Sequence, residues 1–273
     1  MPSVPGSAAE RWRRDLEAWA LPDHLLRDAG ESPWGWPEAV LARMREDRRA
    51  GSPGPTLDLV LGFLGEAGSV LDVGAGTGRL AVPIARRGHR VTAVEPSPEM
   101  AAEARAAAGG LPVEVVEGRW PEAAATVGRF DVALSAHVVY DVADIAPFLR
   151  ALGEAAPVVV VECGADHPWA SLTPLYLALH GLDRPAGPTV EDLAGVVAEV
   201  AGVRPRLVRW RAERPLRFAD RQEALAFYRR RLVLPPARTP ELEALLEPRL
   251  RTEGGWVLAG DPVRESATLW WEA

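Results

Sequence analysis

The sequence predicts an α/β protein built on a doubly wound, mostly parallel, seven-stranded sheet with helices on both faces. Short β-branched apolar runs alternate with Ala-rich amphipathic segments between Ser69 and Cys163, which is the pattern of successive βαβ units. The same stretch has no internal repeat, which argues against a solenoid. We therefore expect a Rossmann-like sheet, completed by a helical cap from the N-terminus and a later insertion.

Five strands of this sheet are predicted directly from apolar runs. The runs are SVLDVG, RVTAVE, PVEVVEG, FDVALSA and PVVVVEC. Between the first two, apolar residues recur at helical spacing from Leu80 to Ala85, and Gly88 follows where a helix is expected to end. Residues 98–108 predict a second crossover helix, closed by Gly109.

Composition divides the chain into three regions. Residues 1–55 form a helical N-terminal cap region, which ends in a Gly- and Pro-rich segment. Residues 56–165 form the α/β core, and residues 166–273 complete the α/β domain and carry a substrate-side insertion. In the flanking regions Trp34, Trp36 and Trp169 either pack cap helices or form the wall of an apolar substrate pocket.

The last region contains further predicted elements. A helix is expected around 189–200, an alternating strand over 207–213, and a final strand at ATLWW near the C-terminus. Asp220 and Glu223 have the spacing of a capping box that begins another helix.

Composition also excludes several classes of protein. The 273 residues contain 31 basic side chains, all arginine, against 38 acidic ones, so the net charge is -7, whereas polyanion-binding proteins are usually basic. The absence of lysine excludes Schiff-base and P-loop chemistry. Cys163 is the only cysteine, so we expect no internal disulfide and no metal site. No apolar run approaches the roughly 18 to 20 residues that span a bilayer, and a cytoplasmic protein is expected.

A glycine-rich turn carries the strongest indication of function. In VLDVGAGTGRL, Asp72 and then Gly74, Gly76 and Gly78 follow one another at two-residue intervals, immediately after a strand. Glycines allow a sharp turn and close approach of the backbone to a ligand. A dinucleotide fingerprint needs a third glycine where this chain has Arg79, so that type of site fits poorly.

The spacing D-x-G-x-G-x-G instead resembles the S-adenosylmethionine-dependent methyltransferases of class I. Glu95 ends the second strand 19 positions after Gly76, where a doubly wound fold places an acid against ribose hydroxyls. The resemblance implies S-adenosylmethionine as cofactor, with Glu95 on the ribose, the turn facing the methionine part and Met100 near adenine. The implied cofactor-binding residues are Asp72, Gly74, Ala75, Gly76, Glu95, Pro96, Met100, Arg119, Trp120, Ser135 and Ala136.

One loop departs from the family pattern. The family usually presents an acid to the adenine amino group after the third strand, but this chain has Gly118, Arg119 and Trp120 there. Trp120 is expected to stack on adenine, and the Arg119 backbone is expected to replace the missing acid. Ser135 and Ala136, at the end of the fourth strand, are expected to line the other side of the cofactor.

Candidate catalytic groups follow the fourth strand. His137 and Tyr140 either act as a base toward the acceptor or only pack, and packing is favoured for Tyr140. The expected acceptor is a small molecule. Segment 203–231 has ten arginines against three acids, so an RNA methyltransferase is one alternative, although an alternating strand with a solvated face explains this charge more simply. A non-catalytic protein that binds S-adenosylmethionine is the other alternative.

Overall fold

A computed structural model gives the fold of the chain. It describes residues 6–27, 29, 31–33, 35, 37–50, 54–213, 216–260 and 263–273. Trp34 and Trp36, which we expected to pack or to wall a pocket, lie outside the described residues.

The main sheet has seven strands in the order β3-β2-β1-β4-β5-β10-β6. All neighbouring pairs from β3 to β5 are parallel, and β10 runs antiparallel to both β5 and β6. This confirms the predicted seven-stranded, mostly parallel, doubly wound sheet. Its strands are β1 (Ser69–Val73), β2 (Arg90–Glu95), β3 (Val113–Glu117), β4 (Val132–Ala136), β5 (Val158–Gly164), β6 (Arg206–Glu213) and β10 (Val263–Glu272).

Eleven α-helices lie within the described residues. They are α1 (Ala8–Glu17), α2 (Asp23–Arg27), α3 (Glu38–Ala50), α4 (Pro55–Phe63), α5 (Ala81–Ala85), α6 (Pro98–Ala108), α7 (Ile145–Ala155), α8 (Thr173–His180), α9 (Val190–Ala201), α10 (Arg221–Arg231) and α11 (Thr239–Leu246). Among these helices, none is long and apolar enough to cross a membrane.

The alternation of side chains along the strands creates two apolar cores, one on each face of the sheet. In β1, Val70 packs with α4 and α5, whereas its neighbours Leu71 and Val73 pack on the opposite face with α7 and α9. Trp12 of α1 is buried in this second core, and its indole N–H donates to the carbonyl of Val142 at 2.9 Å. The carboxyl ends of β1, β2, β4 and β5 therefore meet between two layers of helices, which is where ligands bind in such sheets.

A third core belongs to a separate lobe that the sequence did not predict. Three short strands, β7 (Leu216–Phe218), β8 (Leu250–Glu253) and β9 (Trp256–Ala259), form an antiparallel sheet in the order β7-β9-β8. Helices α8, α10 and α11 pack on it, together with Leu21 and Val40 from the N-terminal region. The N-terminal region thus contacts both the main sheet, through α1, and this lobe. The division at residues 55 and 165 stays a prediction.

Local signals begin and end several helices as expected. The Ser97 hydroxyl accepts the N–H of Met100 at 3.3 Å and begins α6, which Gly109 caps at its C-terminal end. Asp220 accepts the N–H of Glu223 at 2.8 Å and begins α10. The Glu223 carboxylate, however, accepts the N–H of Ala219 rather than that of Asp220, so only half of the predicted capping box forms.

Candidate active site

The glycine-rich turn joins β1 to the segment before α5 and is held against β2. The N–H groups of Gly74 and Ala75 both donate to the carbonyl of Val94, at 2.8 and 3.2 Å. Gly74 and Gly76 have φ of 71° and 58°, a conformation that side chains with a Cβ rarely adopt. A Cβ on Gly74 would collide with Val138, whereas no described atom lies within 4 Å of the Cβ position of Gly76. The backbone at Gly76 is therefore open to a ligand.

Glu95 closes one side of this turn. Its side chain is 5% exposed, and its Oε2 accepts the N–H of Gly76 at 2.8 Å while its Oε1 accepts the N–H of Ser97 at 2.9 Å. The predicted pair of glycine turn and strand-end acid is thus brought into direct contact. Carboxylate oxygens have further lone pairs, so Glu95 retains the capacity to accept hydrogen bonds from ribose hydroxyls.

Two polar groups are buried beneath the turn. Burial raises the pKa of Asp72 to about 7, although the nearby Arg79 charge and the N–H of Ala81 oppose that rise. The Ser135 hydroxyl is buried and, within the described part of the chain, has no hydrogen-bond partner. Buried polar atoms normally have partners, so an open turn beside an orphaned hydroxyl fits a site that a polar ligand completes.

His137 lies beside a buried carboxylate at the ends of β4 and β5. Its φ is 59°, and its Nε2 lies 2.9 Å from Oε1 of Glu162, which also accepts a hydrogen bond from Nη2 of Arg79 at 2.6 Å. Glu162 has no exposed side-chain surface. Burial alone would raise the pKa of Glu162, but the His137 hydrogen bond and the Arg79 charge outweigh it and lower that pKa to about 2. Glu162 is therefore an ionised carboxylate that orients two side chains.

Sequence reasoning did not select Glu162 as a site residue. One signal was available, because Glu162 is an acid within the apolar run VVVVEC, and a buried acid normally has a partner. Arg79 was used only to argue against a dinucleotide site, but its side chain reaches across the sheet to β5. Residues 79, 137 and 162 are far apart in the sequence, so no local spacing predicts that their side chains meet.

Tyr140 is placed against the backbone of β5. Its hydroxyl accepts the N–H of Gly164 and lies 3.4 Å from the Gly164 carbonyl. Burial raises the pKa of Tyr140 well above its ordinary value, with the neighbouring Cys163 contributing in the same direction. These contacts favour a packing role over proton abstraction, and a catalytic role for Tyr140 stays a prediction.

The remaining predicted cofactor residues are differently exposed. Pro96, Met100 and Arg119 lie on the surface, and Ala136 is half-buried at the end of β4. Trp120 is buried in the core of the main sheet, where its indole N–H donates to the carbonyl of Phe148 at 3.2 Å. Adenine can therefore stack on Trp120 only where one face of its ring is accessible from the site. The assignments of these residues stay predictions.

The arginine-rich segment 203–231 is partly neutralised by acids from elsewhere in the chain. Arg209 pairs with both Glu191 and Glu265, and Arg221 pairs with Glu247. Ion pairs of this kind are typical of a solvent-exposed face of a protein. They reduce the charge that this segment presents to a polyanion.

The main sheet has the doubly wound architecture that the sequence predicted, with β10 antiparallel, and Gly76 and Glu95 are in contact at its carboxyl edge. Residues 70–159 match the family described as "Methyltransferase domain", so this segment belongs to that family.

Known relatives resemble the same part of the chain. A ubiquinone biosynthesis O-methyltransferase of Methylobacterium nodulans is 43% identical over 88 residues, which are 31% of this chain and 35% of the relative. Its counterpart from Azorhizobium caulinodans is 40% identical over 87 residues, which are 31% of this chain and 34% of that relative. The matched part of the chain thus spans about a third of the length of these curated relatives.

A solved structure shares the fold over more of the chain. It is a Bacillus halodurans protein assigned to the methyltransferases, with a TM-score of 0.53 and 17% identity, and the match covers 80% of this chain and 98% of that protein. At this identity the likeness shows the fold alone.

Proposed function

We propose that this protein transfers a methyl group from S-adenosylmethionine to a small-molecule acceptor. The observation that carries the proposal is the open backbone at Gly76, whose N–H is bonded to the Glu95 carboxylate at the carboxyl edge of the sheet. This arrangement offers fixed polar partners and no steric barrier to a ligand. The membership of residues 70–159 in the methyltransferase family supports the same activity.

The residues beneath and beside the turn would hold the cofactor. Glu95 would accept hydrogen bonds from the ribose hydroxyls, the backbone at Gly76 would face the methionine part, and the orphaned Ser135 hydroxyl would gain a partner. When bound, S-adenosylmethionine supplies an electrophilic sulfonium methyl group. The protein contributes positioning and exclusion of water, and correct positioning of two reactants is worth roughly 7 to 11 kcal/mol.

His137 is the proposed general base. Its side chain is 36% exposed, and Nε2 lies 2.9 Å from Oε1 of Glu162, so the imidazole is held by a carboxylate and can take a proton from the acceptor. Glu162 is a positioning residue, held in turn by Arg79. A carboxylate, an imidazole and a substrate hydroxyl form a common arrangement for activating an oxygen nucleophile. The O-methyltransferase name of the relatives supports an oxygen acceptor.

The flanking regions form the proposed acceptor side of the site. Trp19 follows α1, and its ring stacks on that of His167 with centroids 3.9 Å apart and an interplanar angle of 12°. The His167 ring in turn meets the edge of Tyr140, with centroids 5.9 Å apart. We therefore propose that the N-terminal cap region and the C-terminal region meet at Trp19 and His167, next to the candidate catalytic groups, and enclose the acceptor.

Calorimetric titration of the purified protein with S-adenosylhomocysteine and, separately, with NAD tests the proposal. We expect micromolar or tighter binding of S-adenosylhomocysteine alone. Turnover is then measured with labelled S-adenosylmethionine against phenols, alcohols, amines and a structured RNA. Binding of NAD alone would overturn the cofactor assignment, and cofactor binding with turnover only on RNA would overturn the small-molecule acceptor. Cofactor binding without turnover across the panel would indicate a non-catalytic binding protein.

A further inference from the structure

We propose that Arg184 binds a carboxylate group of the acceptor, so that the substrate of this site is a small organic acid. The inference rests on the proposed function and specifies the class of molecule on which that function acts. The guanidinium group of Arg184 is buried, and only part of its hydrogen-bonding capacity is used.

Arg184 is 7% exposed and anchors the N-terminal region to the rest of the chain. Its Nη1 donates to the carbonyls of Ala18 and Ala20, at 3.1 and 3.0 Å, just beyond the C-terminal end of α1. Its Nε and Nη2 are also buried, and neither has a hydrogen-bond partner among the described residues. The contact with the two carbonyls explains why an arginine is present, but it leaves the other edge of the guanidinium group unused.

The unused edge carries two donors, Nε and Nη2, that can bind a carboxylate. Nε and one terminal nitrogen of a guanidinium group direct two parallel N–H bonds, which match the two oxygens of a carboxylate. Within the part of the chain that the structure describes, no carboxylate forms an ion pair with Arg184. Burial lowers the pKa of Arg184, and the neighbouring Tyr176 opposes that shift. An uncompensated buried cation is costly, and an anionic ligand would remove much of that cost.

The surroundings of Arg184 suit an organic anion better than a hydrated inorganic one. The guanidinium carbon lies 4.6 Å from the ring centre of Tyr176 and 5.7 Å from that of Trp19. A second buried arginine, Arg231, lies with its guanidinium carbon 4.0 Å from the ring centre of Trp169, and the Tyr176 hydroxyl donates to its backbone carbonyl at 2.8 Å. Flat apolar rings around two cations favour a ligand with both an apolar body and a negative charge.

Ring contacts connect this cluster to the candidate catalytic groups. Trp19, beside Arg184, stacks on His167, and His167 meets the edge of Tyr140, which follows His137 by three residues. Burial, assisted by the Arg184 charge, lowers the pKa of His167 to about 4, so His167 is neutral at pH 7 and leaves the arginine charge to act on the ligand. The proposed carboxylate position at Arg184 is therefore connected through aromatic rings to the segment that carries His137.

The test compares an acid with its uncharged isostere. Binding of 3,4-dihydroxybenzoate and 3,4-dihydroxybenzamide is measured by calorimetry, with and without saturating S-adenosylhomocysteine, alongside a panel of hydroxylated aliphatic and aromatic carboxylates. We expect the acid to bind about tenfold to hundredfold more tightly than the amide, the range of charge-assisted hydrogen bonds. Arg184→Gln should abolish this preference, and Arg184→Lys should retain part of it.

Arg238→Gln is the matched control. Arg238 belongs to the same lobe and also donates to a backbone carbonyl, that of Leu179 at 2.8 Å, but it is paired with Glu241. This variant should keep the wild-type preference for the acid. If Arg184→Gln does not fold, as judged by its thermal unfolding, the comparison between wild type and Arg184→Lys decides.

Two results would overturn the inference. One is an undiminished preference for the acid in the Arg184 variants, and the other is failure of every carboxylate to bind to wild type. Failure of the proposed function has a different signature, namely absence of S-adenosylhomocysteine binding. In that case the acid and amide titrations without S-adenosylhomocysteine still decide whether Arg184 binds carboxylates.

Discussion

Arg79, which follows the glycine-rich turn, donates a hydrogen bond of 2.6 Å to the fully buried carboxylate of Glu162 at the end of β5. The pair links the glycine-rich turn to β5, whose Glu162 also lies 2.9 Å from Nε2 of His137. An arginine therefore has a structural use at the position where a dinucleotide fingerprint requires glycine.

Replacing Glu162 by glutamine should destabilise the protein in a pH-dependent way. Removing one partner of a buried pair leaves the other charge uncompensated and costs about 3 to 5 kcal/mol. Because the folded-state pKa is lowered from 4.5 to about 2, the carboxylate stabilises the fold fully above pH 4.5, and this contribution is lost as pH falls toward 2. Urea unfolding at several pH values measures the difference. The exposed Glu154→Gln serves as control, and a deficit that does not shrink below pH 4.5 would contradict the assignment.

Asp72→Asn should have the opposite effect and stabilise the fold. The pKa of Asp72 is raised from 3.8 to about 7, so ionisation of this group destabilises the fold progressively between these values and by a constant amount above pH 7. The variant should be more stable than wild type at pH 8, by on the order of 2 to 4 kcal/mol, and equal to it below pH 4. Thermal unfolding across this range checks the sign. Equal stabilities at pH 8 would show that the burial of Asp72 is not costly.

Alanine at Gly74 and at Gly76 should have different consequences. Both positions have positive φ, so each substitution costs about 1 to 2 kcal/mol of strain. Gly74→Ala should lose about 1 to 3 kcal/mol more, because its Cβ collides with Val138. Gly76→Ala should instead weaken S-adenosylhomocysteine binding, since its Cβ enters the open space above the turn. Gly88→Ala, also at positive φ in open space, should match Gly76→Ala in stability and leave binding unchanged.

Glu95→Ala should weaken binding of S-adenosylhomocysteine about tenfold to hundredfold. Hydrogen bonds to a charged group are worth about 1.5 to 3 kcal/mol, and Glu95 also holds the N–H of Gly76 in place. Calorimetric titration gives the dissociation constants. Glu114→Ala, an exposed acid on the adjacent strand, is the control. An unchanged dissociation constant for Glu95→Ala would remove this residue from the site.

His137→Asn should reduce kcat about 100-fold to 10,000-fold, the usual range for a general base, without changing the affinity for S-adenosylhomocysteine. Asparagine tolerates the positive φ at this position, so the variant should remain folded. Steady-state turnover with the best acceptor from the panel measures the effect, and the exposed His24→Asn is the control. An unaffected kcat would mean that positioning alone drives transfer.

The sequence by itself determined the seven strands of the main sheet, the turn at Gly74 and Gly76, and the presence of Glu95 at the end of β2. Each is a local property, because apolar periodicity and the need for positive φ are encoded within a few neighbouring residues. The family resemblance rests on the same local features.

Only the tertiary structure decided which distant side chains meet. Arg79 and Glu162 are 83 positions apart, and Arg184 reaches a carbonyl 166 positions away in the N-terminal region. The small antiparallel sheet likewise pairs β7 with β9 across α10 and α11. Such contacts depend on how whole elements pack. The sequence does not distinguish a charged residue that becomes buried from one that stays on the surface.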